Sequence, residues 1–127
     1  MSKQIILTQN APAPIGPYSQ AVKVGNLLFC SGQIPLDPQS GAIVGQTVEA
    51  QAEQVMKNIA AVLTAAGVDF LDVVKTTIFL KSMSDFPKVN EVYGKYFRAE
   101  PPARSTVEVS RLPKDVLVEV EVLAHVR

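Results

Sequence analysis

A chain of 127 residues is one domain's worth, long enough to bury about two-thirds of the surface its unfolded form exposes without disulfides or a structural metal. Twelve Lys plus Arg balance twelve Asp plus Glu, so no broad electropositive field recruits nucleic acid or an anionic membrane. One cysteine, Cys30, excludes an intramolecular disulfide, and one histidine, His125, argues against a His-centred metal site, so any chemistry falls to other groups.

Hydrophobic residues at 47% and charged residues at 19% are the balance of a folded globular chain. No repeat, low-complexity stretch or linker divides it, and residues 1–127 read as a single domain. Near the N-terminus, Ile5-Ile6-Leu7 is a run of only three apolar residues, too short for a secretory or membrane-spanning segment, so the expected location is the cytoplasm.

Prolines cluster at Pro12, Pro14 and Pro17, at Pro35 and Pro38, and at Pro101, Pro102 and Pro113, which predicts stiff loops suited to holding functional groups. Ala21 to Val24 and Leu27 to Ser31 read as a hairpin around Gly25-Asn26. From Val48 to Ala66 an apolar stripe at residues 48, 52, 55, 56, 59, 63 and 66 predicts a helix with Glu53, Gln54, Lys57 and Asn58 opposite. Thr47 is its expected N-cap, and Gly67 the expected left-handed stop.

Val73 to Lys81, rich in β-branched residues, reads as a buried strand. Ser84 is the expected cap of a second helix bearing Phe86, Val89, Tyr93 and Phe97 on one face, with Pro87 harmless in its first turn. Arg104 to Ser110 and Val116 to Val126 both alternate across the short Arg111 to Asp115 connection, which predicts a second hairpin. Its valine face, Val116, Val118, Val120 and Val122, needs a cover that the two helices supply. The expected fold is therefore α+β, a two-layer sandwich with a mixed sheet and both helices on one face.

The other sheet face is expected to mix Arg104, Thr106, Glu119 and Glu121 with Leu117 and Leu123, the antiparallel connection bringing Arg104 near the two glutamates. Apolar and charged groups on one uncovered face favour burial against further copies of the chain over solvation.

Arg104, stiffened by Pro101-Pro102-Ala103, offers a planar fork that fits a small carboxylate, although an arginine near glutamates also suits a structural ion pair. Glu119, inside a hydrophobic strand, is either paired or raised in pKa, and a raised carboxyl could position water or move protons. Tyr18 could donate to a carboxylate or merely pack on the sheet edge; Ser31 and Gly32 could present a hydroxyl and an approachable N–H, or only form a turn. Asn90, four residues after Phe86, could face a pocket with it. Cys30, beside Phe29 in an apolar strand, reads as an inert buried thiol.

Taken together, Gly16-Pro17-Tyr18-Ser19-Gln20-Ala21, Ser31-Gly32-Gln33-Ile34-Pro35, Val74-Lys75-Thr76-Thr77, Pro102-Ala103-Arg104-Ser105, Leu112-Pro113-Lys114 and Val118-Glu119-Val120-Glu121 resemble the RidA (YjgF/YER057c/UK114) family of reactive-intermediate deaminases. The resemblance runs from about Ile15 to Ala124. It implies a chorismate-mutase-like fold assembled as a homotrimer with ligand clefts between subunits. The implied reaction is cofactor-free hydrolysis of 2-iminobutanoate or 2-iminopropanoate to the 2-keto acid and ammonia. By position, Arg104 corresponds to the carboxylate-binding arginine, Glu119 to the glutamate that holds the hydrolytic water, and Tyr18, Ser31 and Asn90 to pocket-lining residues. Phe86, Gly32 and Thr106 join them as substrate-contact candidates; Thr106 stands where some relatives have cysteine, which leaves a hydroxyl and the backbone N–H. The expected partners are small 2-imino and 2-keto acids and other copies of the chain. Two rival readings stay open, a carboxylate-sensing module without turnover and an RNA-directed ribonuclease or translation inhibitor. The neutral charge and the absence of a basic aromatic platform weigh against the second.

Overall fold

A computed structural model of the chain describes residues 2–127. The strands are β1 (Gln4–Ile6), β2 (Ala21–Val24), β3 (Leu27–Cys30), β4 (Val73–Leu80), β5 (Ala103–Glu108) and β6 (Val118–His125), and the helices are α1 (Val48–Ala65) and α2 (Phe86–Gly94). They build one six-stranded sheet in the order β1-β2-β3-β6-β4-β5. All pairs are antiparallel except β4 with β5, which the crossover through α2 makes parallel. The expected α+β sandwich with a mixed sheet is the observed one.

Local signals account for most of the elements. Gly25 takes a φ of +58° at the first position of the β2–β3 turn, where a two-residue hairpin favours glycine. Thr47 Oγ1 accepts from the Ala50 N–H at the start of α1, and Gly67, at φ +79°, turns the chain away beyond its end. Along β6, Val118, Val120, Val122 and Ala124 point inward, and with Ile78 and Leu80 of β4 they meet Val55, Ile59 and Leu63 of α1 and Val89 of α2. Each such buried aliphatic side chain contributes about 1.5–3 kcal/mol.

The predicted second hairpin does not form. β4 lies between β5 and β6, and the chain after β5 passes over the end of β4, where Val109 N–H donates to Leu80 O and Lys81 N–H to Leu117 O. The reason is burial: β4 has Thr76, Ile78 and Leu80 at 0% exposure and demands a central position, whereas β5 is largely exposed and suits an edge. The phase of β5 changes with it. Arg104 stands opposite Thr76 and Thr106 opposite Ile78, so both lie on the helix-bearing face, while Glu119 and Glu121 lie on the open face opposite Phe79 and Thr77. Arg104 therefore does not join the glutamates within one chain.

Two smaller expectations also change. Asn58, assigned to the polar side of α1, is buried because its amide donates to the carbonyls of Ile34 and Leu36 and accepts from Gln54. Ser84 does not cap α2: Ser82 accepts the Ser84 N–H at a short 3-10 turn, Met83–Asp85, that leads directly into the helix.

Candidate active site

The candidate residues divide into two clusters on opposite faces of the sheet. The first surrounds Arg104 at the β5 edge. Phe86, Asn90 and Tyr93 recur at helical spacing along α2 and so share one stripe, which faces this edge. Arg104 Nη1 donates to Asn90 Oδ1 at 2.7 Å, and the guanidinium carbon lies 5.2 Å from the Phe86 ring centre and 5.0 Å from that of Tyr93. Both distances are those of cation–π contacts. Thr106 follows two residues later on the same face. The Arg104 side chain is exposed and retains most of its N–H donors, in a planar fork whose geometry fits a carboxylate.

The second cluster lies on the open face. A cavity of about 430 Å³ is lined by Ile15, Tyr18, Cys30, Ser31, Gly32, Ile34, Pro113, Glu119 and Glu121. Its wall is set by backbone pairing: Gln33 and Val120 exchange N–H···O bonds of 2.8 and 3.2 Å, which presses Gly32 against the Glu119 side chain. A Cβ on Gly32 would fall 2.1 Å from Glu119 Oε2, so the absence of a side chain there lets the carboxylate occupy this position. The Ser31 hydroxyl donates to Ser19 O at 2.6 Å, tying the β3 end to the Tyr18 loop and leaving the hydroxyl oxygen as an acceptor.

That loop is anchored by a residue to which sequence reasoning gave no part. Gln20 is 1% exposed; its amide donates to the carbonyls of Thr8, Ala11 and Pro12 and accepts from Thr8 N–H, fixing the proline-rich segment that carries Ile15 and Tyr18. In the sequence it stood only as a member of the Gly16–Ala21 motif, between turn residues and a strand, with no role of its own.

Burial, with the Glu121 carboxylate next on the same face as the smaller cause, raises the pKa of Glu119 above the usual carboxylate range. Among the described residues Glu119 has no ion-pair partner. It is suited to accept and return a proton nearer neutrality than an ordinary glutamate. Cys30 is the reverse case: burial pushes its thiol up to about 12, so it stays protonated and a poor nucleophile at neutral pH.

Of the residues predicted from sequence, Tyr18, Ser31, Gly32 and Glu119 are thus brought together, as are Arg104, Asn90 and Phe86 with Thr106 nearby, but the two groups are separated by the sheet. Among the described residues no group of three or more His, Cys, Asp or Glu side chains is placed to hold a metal ion, and no helix is long and apolar enough to cross a membrane.

The chain is similar to proteins of known sequence and structure over nearly its full length. The family model described as Endoribonuclease L-PSP matches residues 8–126. A RutC family protein of Pyrococcus horikoshii is 58% identical over 123 residues, covering 97% of this chain and 98% of that protein. Reactive Intermediate Deaminase A, chloroplastic, of Arabidopsis thaliana is 49% identical over 98% of this chain and 66% of the longer plant protein. Among solved structures, that of E. coli TdcF with bound serine matches with a TM-score of 0.92 at 46% identity, covering 98% of each chain.

Proposed function

We propose that this chain, which belongs to the endoribonuclease L-PSP family and so to the group that includes reactive-intermediate deaminases, hydrolyses small 2-imino acids, of the size of 2-iminobutanoate and 2-iminopropanoate, to 2-keto acids and ammonia. The observation that carries the reading is the pairing of a held, exposed carboxylate fork at Arg104 with a cavity holding a raised, unpaired carboxyl at Glu119. The serine bound to the related TdcF is likewise a small carboxylate carrying nitrogen on its α-carbon.

Because the two groups lie on opposite faces, the complete site takes Arg104 from one subunit and Glu119, Tyr18 and Ser31 from the next. The open face supports such an assembly, since Ile5, Leu27, Phe29 and Val107 are each 40% exposed or more on it, and a head-to-tail contact whose rotation closes makes a ring. A homotrimer satisfies this closure.

In the reaction, Arg104 holds the substrate carboxylate and a water rests on Glu119. The water oxygen bonds to the imine carbon as the C=N π electrons move to nitrogen, and Glu119 takes the water's proton. Glu119 returns that proton to nitrogen and, a carboxylate again, takes the hydroxyl proton as the O–H bond breaks, the C=O bond forms, the C–N bond breaks and ammonia leaves; the proton then passes from Glu119 to solvent. A protonated imine is already electrophilic, so positioning and one carboxylate that takes, returns and again takes a proton are enough, and no cofactor takes part in the scheme.

The family description names RNA cleavage, but zero net charge and the exposed Arg104 fork, sized for one carboxylate, favour the small acid. A sensor without turnover would bind equally well, so turnover decides. With 2-iminobutanoate generated in situ by a dehydratase, imine decay is expected to accelerate with the wild-type protein, and Arg104→Ala is expected to abolish both this acceleration and 2-oxobutanoate binding. Decay no faster than in buffer eliminates the enzyme and leaves the sensor.

A further inference from the structure

We propose that Tyr93 is the positioning residue for Arg104, and that the buried Thr76 hydroxyl in turn fixes Tyr93; the inference rests on the reading of Arg104 as the carboxylate clamp. Both residues are buried, and in this reading both act through Arg104. Tyr93 is only 6% exposed, and its hydroxyl shares a 2.7 Å hydrogen bond with Thr76 Oγ1, itself fully buried in the central strand β4. Its ring also packs on Phe97 with centroids 4.6 Å apart, and Phe97 meets Phe70 edge-on at 5.2 Å. The ring is thus pinned at its hydroxyl and along its side.

Arg104 lies against that pinned ring, its guanidinium carbon 5.0 Å from the centroid. An exposed arginine on an edge strand would otherwise sample many rotamers and lose that freedom on binding a ligand. Here the Tyr93 and Phe86 rings and Asn90 Oδ1 restrict it beforehand, and the restriction is referred back through Thr76 to an interior strand paired on both sides. If Tyr93 and Thr76 only filled the core, their partner would need no cation above it. The contact with Arg104 gives the pair a function beyond packing.

Kd for 2-oxobutanoate and for its uncharged amide, together with KM, kcat and Tm, separate the two roles in Tyr93→Leu, Tyr93→Phe and Thr76→Val. Tyr93→Leu is expected to weaken 2-oxobutanoate about tenfold and raise KM similarly, with kcat within about twofold and the amide unaffected. Tyr93→Phe and Thr76→Val, which keep a ring beneath the cation but release it from its tether, are expected to cost about threefold for the acid alone. Equal weakening of acid and amide, or no change in either, overturns the proposal whatever happens to Tm. Should Tyr93→Leu fail to fold, Tyr93→Phe decides by the same acid-to-amide ratio. Wild-type protein that binds the keto acid but does not speed imine decay removes the enzymatic reading and leaves this test intact; wild-type protein that does not bind the acid overturns both.

Discussion

The Arg104 edge and the Glu119 cavity place opposite charges in opposite physical settings. Arg104 is exposed, yet its position is determined by contacts inside its own chain, to Asn90, Phe86 and Tyr93. Glu119 is sheltered and has no ion-pair partner among the described residues; its surroundings act on its proton affinity instead. One region therefore supplies geometry and the other supplies a tuned proton acceptor. Because the sheet separates them, the proposed function needs both regions from different subunits, and the division of labour predicts a division between subunits.

The largest effect is expected from breaking that division. Arg104→Ala and Glu119→Ala proteins, each inactive in imine hydrolysis, are refolded together so that their subunits mix. In a ring where each site draws Arg104 from one chain and Glu119 from the next, random mixing restores about one quarter of wild-type activity. Mixed oligomers, verified by mass, that stay inactive would place both residues in one chain's site and contradict the arrangement.

Next is the proton acceptor itself. Glu119→Gln is expected to lower kcat about 100-fold while 2-oxobutanoate binding, measured by calorimetry, is retained. The active form of Glu119 is the carboxylate, so kcat/KM should fall as pH drops through its raised pKa. Burial is the larger cause of that shift and Glu121 the smaller, so Glu121→Gln moves the acidic limb to lower pH without abolishing it. A folded pKa above the unfolded one favours the protonated form in the folded state. That stability is present below the unfolded pKa and lost as pH rises through the folded one, so Glu119→Gln is expected to raise Tm at pH 7 relative to wild type.

The smallest effect sharpens the comparison most finely. Gly32→Ala puts a methyl group where the Glu119 carboxylate sits, and the flexible carboxylate moves away rather than the backbone. A roughly tenfold loss of kcat with little change in Tm is expected, because displacement from productive geometry affects rate before fold. Gly45→Ala is the control. Gly45 has a φ of +89°, and its added Cβ would lie 2.6 Å from the Ala50 Cβ and 3.2 Å from helix backbone, so Tm should fall while the activity of the folded fraction persists. Equal rate losses in the two variants would show that Gly32 acts through the fold and not through Glu119.

Much of the fold was legible because its signals are local. The α1 stripe, the Thr47 cap, the Gly25 turn and the valine alternation of β6 each depend on residues a few positions apart, and each appears where its spacing predicts. The short strand β1 was missed because Gln4–Ile6 is three residues long and is held only by pairing with β2. Gln20 escaped for a related reason: its importance comes from three carbonyls brought to it by a folded loop. The individual site residues were legible by type and by family resemblance, but their grouping was not.

What the sequence determined by itself was periodicity: which residues alternate, which recur each helical turn, where the chain must turn, and hence the α+β class, the inward valines and the chemistry of Arg104 and Glu119 as separate groups. Adjacency, by contrast, arose only from the packing of the folded chain. Alternation shows that Arg104 and Thr106 share a face but not which face; that choice was made when the more apolar β4 took the central position between β5 and β6 and turned Arg104 toward α2. Strand order is settled by competition for burial among segments far apart in sequence, and no local spacing records its outcome.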